Sequence, residues 1–106
     1  MIDLVAVDEI IRQYAEHGWT LRRALLSHER GRTLANILGD VEVEHSDFDA
    51  LWFTRRSRPD SEAWELRRLT ALPFALIAVI PDHTSADEVD ATLSQVVEEM
   101  RSKTIA

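Results

Sequence analysis

The chain has 106 residues, 45% of them apolar and 29% charged, with no cysteine and a formal net charge of −7 at neutral pH. This length suits a single domain, residues 1–106, with its own core, and the lack of cysteine excludes disulfides, thiolate metal sites and cysteine nucleophiles. The acidic balance argues against nucleic acid and anionic membranes as bulk partners, and the longest apolar run, residues 74–80, is far shorter than the ~20 residues of a membrane span.

Val7, Ile10, Ile11 and Tyr14 recur at helical spacing and predict an N-terminal helix. Asp3 is its expected N-cap, Asp8 and Glu9 fall early in it, and His17-Gly18 is its stop. Met-Ile-Asp-Leu at the start lacks the basic region of a signal peptide, so the expected location is the cytoplasm.

Residues 19–27 read as a strand, with Trp19, Leu21 and Leu25 on one face and Thr20, Arg22 and Ala24 on the other. Residues 27–39 read as a short helix through Leu34, Ile37 and Leu38, closed by Gly39. Arg30-Gly31-Arg32 at its start reads as a solvated first turn, and His28 as a histidine near an element end. Residues 40–45 alternate acids with Val41, Val43 and His45, the pattern of a half-buried strand with an acidic outer face suited to a sheet edge. Turn chemistry follows at residues 46–49, then a strand at 51–56, a turn around Pro59-Asp60, and strands at 64–70 and 74–80. The short links predict antiparallel hairpins, including one between residues 40–45 and 51–56 with Val43 opposite Phe53. The last element is a helix. Val89, Leu93, Val96, Val97 and Met100 form one stripe, and Ser85 with Glu88 fits a capping box.

These elements predict an α+β fold: a two-layer sandwich built on a largely antiparallel sheet of about five strands. The N- and C-terminal helices pack on one face, with a short helix after the first strand. The other face is then open.

Three related stretches carry the most chemistry: Trp19-Thr20-Leu21-Arg22-Arg23, Trp52-Phe53-Thr54-Arg55-Arg56 and Trp64-Glu65-Leu66-Arg67-Arg68. Strand alternation splits each Arg-Arg pair between faces unless a bulge intervenes. It turns Trp19, Trp64 and Leu66 inward. The expected outward residues are Arg22, Trp52, Arg56, Arg67, Ile77 and Val79, together with Glu42, Glu44 and Glu65. An apolar centre ringed by Arg and Glu is interface anatomy. The leading expectation is therefore a non-catalytic interaction domain that homodimerises through the open face. The alternative is a binder or enzyme in which Arg22, Arg56 and Arg67 recognise a small anion, a carboxylate or a phosphate.

No catalytic residue is assigned. Nucleotide, dinucleotide and Gly-x-Ser-x-Gly signatures are missing, so no cofactor is expected. A metal site at Glu42, Glu44, His45, Asp47 and Asp49 lacks any paired-histidine or EF-hand pattern and reads as an acidic edge strand and turn. Nucleic-acid binding lacks a basic excess: residues 19–68 hold nine arginines against nine acids.

Overall fold

The first helix, α1 (Leu4–Glu16), begins where Ala6 N–H donates to the Asp3 side chain at 2.9 Å. It ends in a Schellman motif. Gly18 adopts φ +86°, its N–H bonds Ala15 O, and Trp19 N–H bonds Tyr14 O. These details belong to a computed structural model that describes residues 3–27, 34, 36–70 and 72–105.

Among the described residues five strands follow: β1 (Thr20–Leu26), β2 (Glu42–His45), β3 (Ala50–Arg58), β4 (Ser61–Arg68) and β5 (Ala75–Pro81). A second long helix, α2 (Ala86–Ile105), closes the chain. Ser85 caps α2 by accepting from Glu88 N–H at 3.2 Å. Asp87 and Glu88 lead α2 and Lys103 closes it, as the helix dipole prefers. Between β1 and β2, Leu34 and residues 36–38 are helical. The sequence readings at His28 and Arg30-Gly31-Arg32 lie outside the described residues. No described helix is long and apolar enough to cross a membrane.

The strands form one sheet in the order β2-β1-β3-β4-β5. Pairings β1–β3, β3–β4 and β4–β5 are antiparallel, so the class is α+β with a largely antiparallel sheet. The expected hairpin between residues 40–45 and 51–56 does not form. Instead β2 runs parallel to β1, with Arg23 beside Glu42, Leu25 beside Glu44 and Leu26 beside His45. A helix within the β1–β2 connection makes that crossover possible. The link at 46–49 passes over the end of β1 and is not a hairpin turn. Ser46 N–H donates to Leu26 O at 3.0 Å, and the Asp49 carboxylate accepts from Ser27 N–H at 2.8 Å. Phe48, in the middle of the link, is buried. The physical reason lies in β3. Its Ala50-Leu51-Trp52-Phe53 run is apolar on both faces and needs a central place, whereas acid-studded β2 suits an edge.

The same property of β3 decides the layers. Ala50 and Trp52 join Leu25, Trp64, Leu66 and Ile80 beneath Leu93, Val96 and Met100 of α2. Leu51 and Phe53 join Ala24 and Leu26 beneath Val7 and Ile10 of α1, with Leu34 and Leu38. Neighbouring residues of one strand point to opposite faces. The two long helices therefore cover opposite faces, and the expected packing of both on one face is corrected to three layers, helix–sheet–helix.

Each helical layer covers only part of its face. On the α1 side the core is built over β1 and β3, and Tyr14 of α1 reaches Glu65 of β4. On the α2 side the core runs from Leu25 of β1 across β3 and β4 to β5, where Phe74, Leu76 and Ala78 pack against it. Two quadrants of the sheet are left: β4–β5 on the α1 side, and β1–β2 on the α2 side.

Candidate functional site

The β4–β5 quadrant is apolar at its centre. Ile77 is 58% and Val79 53% exposed, and Ala75 beside them is exposed too. Across the β4–β5 ladder Ala75 faces Arg67, Ile77 faces Glu65 and Val79 faces Ala63, which sets Arg67 and Glu65 as a polar border. The Arg67 guanidinium donates to Arg68 O, and Glu65 accepts from the Tyr14 hydroxyl. Tyr14 stacks on Phe53, with ring centroids 4.0 Å apart, and meets Trp19 edge-on at 6.0 Å. Burial, then the bond to the Glu65 carboxylate, holds the Tyr14 phenol well above its ordinary pKa. This side chain marks the limit of the covered half of the face.

β5 is also a sheet edge. From Leu69 to Pro81 the sequence has no charged residue. The other edge, β2, is four residues long and carries Glu42 and Glu44. Short length and charge are the usual protection of an edge strand, and β5 has neither.

The β1–β2 quadrant forms a groove of about 430 Å³ along α2. Leu25 and Leu93 line its floor, and Glu42, Glu44, Asp90 and Glu98 its walls. Arg23 spans it, 3.4 Å from Glu42 on the strand and 3.3 Å from Asp90 on the helix. At the far end Arg101 binds the Asp47 carboxylate through two nitrogens at 2.9–3.1 Å and also pairs with Glu98. That contact holds the Asp47 carboxyl below the usual range. Both guanidiniums are thus committed to carboxylates, and acids outnumber them along the walls.

The residues singled out from sequence do not share one face. Trp52 is 2% exposed, under α2 and edge-on to Trp64 at 6.0 Å, so the expected outward Trp52 is corrected to a core residue. The reading failed because it assigned one face of β3 to solvent, when both faces are covered. A register shift between Leu21 and Arg23, with Arg22 as the extra residue, brings both arginines to the α2 side. They stand 5.3 and 5.7 Å from the Trp64 ring. Arg22 further approaches Glu62 at 3.8 Å and Thr54 at 3.5 Å. The second pair splits as alternation requires. Arg55 lies over Trp19 at 4.7 Å, and Arg56 reaches Asp82 at 2.5 Å. Arg67 is on the α1 side, so Arg22, Arg56 and Arg67 do not converge. Ile77 and Val79 are exposed where the sequence reading put them. Ala75, which the same alternation turns outward, is exposed beside them. The acid-walled groove was missed, because it depends on the parallel β1–β2 pairing, which the sequence reading did not include.

No protein-family model matches the chain, and comparison with curated proteins and with solved structures finds no relative.

Proposed function

We propose that the chain is a non-catalytic interaction domain that homodimerises through the uncovered quadrant of its sheet around Ile77 and Val79. The observation that carries this reading is the contrast between the two sheet edges. β2 is short and acidic; β5 is longer, uncharged, and flanked by exposed aliphatic side chains. An unprotected apolar edge of this kind is an association site. An apolar centre with Glu65 and Arg67 at its border has the make-up of an interface. The chain's excess negative charge lies elsewhere, so two copies can bring these quadrants together without placing like charges in contact.

Light scattering over a concentration series tests the reading. The expected result is the mass of two chains at tens of micromolar, falling towards one chain on dilution. A single-chain mass at several hundred micromolar would overturn it.

A further inference from the structure

We propose that the second copy adds strand to strand, β5 against β5, antiparallel, with the two-fold axis at Ile77, so that one sheet runs through both molecules. This rests on the homodimer reading and specifies how the copies meet.

The hydrogen-bond pattern of β5 shows which backbone groups are available. Arg68 N–H donates to Phe74 O at 2.9 Å, and Asp82 N–H donates to Asp60 O at 2.9 Å. In an antiparallel ladder bonded and non-bonded positions alternate. The register, with Leu66 opposite Leu76 and Trp64 opposite Ala78, continues this set. Positions 74, 76, 78 and 80 therefore bond to β4. Ala75, Ile77 and Val79 direct their N–H and C=O groups to the free edge.

The two prolines then select the register. Pro73 and Pro81 lie at equal distances on either side of Ile77, and neither has an N–H to donate. With the axis at Ile77 the prolines face each other just outside the ladder. Ile77 pairs with its symmetry mate and Ala75 with Val79, which gives about six main-chain bonds, two per facing pair, with every outward group from Ala75 to Val79 satisfied. Moving the axis to Ala78 sets Ala75 opposite Pro81 and leaves the Ala75 carbonyl without a donor. Side-chain size agrees with the axis at Ile77. Ala75 meets Val79 on the α1 side and Leu76 meets Ala78 on the α2 side, a small residue against a larger one on both faces.

Charge favours a second copy over a foreign strand. The edge has no charged side chain between Leu69 and Pro81, so it offers no counter-charge to an acidic or basic segment. A second copy brings the same uncharged strip, and an isologous contact between identical strips closes on itself.

Two measurements on the full chain test this. Amide hydrogen exchange, read residue by residue above and below the association range, should show the amides of Ala75, Ile77 and Val79 slowed about a hundredfold or more in the dimer. The chain has no cysteine, so I77C introduces a lone thiol. Facing Cα atoms about 5.5 Å apart lie within disulfide reach, and oxidation should link the copies. A dimer whose three amides exchange as fast as in the monomer would overturn strand addition and leave the homodimer standing. Slowed amides without linkage of I77C would move the axis off Ile77 and overturn the register. A monomer at high concentration would overturn both proposals, and slowing of those amides by an added apolar peptide would then give the edge to a foreign strand.

Discussion

Trp52 and Ile77 sit two strands apart, and their exposures of 2% and 58% set opposite expectations for substitution. Trp52 fills the space between the sheet and α2. W52A should therefore cost about 3–5 kcal/mol of folding stability, measured by urea unfolding. A loss under about 1 kcal/mol would contradict its place in the core. I77K changes an exposed side chain and should leave the unfolding free energy of the isolated chain within about 0.5 kcal/mol. Tyr14 gives a third expectation. It is the chain's one tyrosine, so its ionisation can be followed without interference from other phenols. Burial and the Glu65 bond raise its folded pKa above the unfolded value of about 10. The stability this lends is present in full below pH ~10 and is lost as pH rises through the folded pKa. Tyrosinate absorbance should therefore be absent from the folded protein at pH ~10.5, where the denatured chain is mostly ionised. Ionisation at the ordinary pH in the folded chain would remove the Tyr14–Glu65 bond from the account.

Among the elements, the helices were legible because local chemistry defines them. Asp3, Ser85 and the His17-Gly18 stop mark their ends, and apolar spacing marks the faces they bury. Gly18 is a test at this scale. Its φ of +86° is open to glycine and costly for alanine, while an added Cβ would meet only Arg55 Cδ, at 3.6 Å. G18A should thus destabilise by about 1–2 kcal/mol through backbone strain alone. A neutral result in thermal unfolding would contradict the Schellman stop. The strands were harder. Alternation tells which side chains share a face but not whether that face is covered. The four residues between β2 and β3 resemble a hairpin turn, yet Phe48 among them belongs to the core and Ser46 bonds back to β1. Arg22 shows the same limit, because a one-residue bulge reassigns its face without any glycine or proline to announce it.

At the scale of the whole molecule, one arrangement explains both candidate surfaces. Two helices on opposite faces are displaced towards opposite edges, so among the described residues each leaves one quadrant incompletely covered. The α2-side quadrant is bridged by Arg23 and walled by acids. The α1-side quadrant ends in an unprotected edge strand. Ile77 and Val79 could be read from the sequence as outward because β5 alternates simply. Their neighbourhood could not, since it depends on where α1 stops. The central claim is that the copies meet at β5 and not at β2. Sedimentation equilibrium of the wild-type chain, I77K and E44K tests it most directly, since Glu44 lies on the opposite edge. The account predicts a wild-type dimer, at least a tenfold weaker association for I77K, and no change for E44K. Equal effects of the two substitutions, or a wild-type chain that stays monomeric throughout, would contradict it.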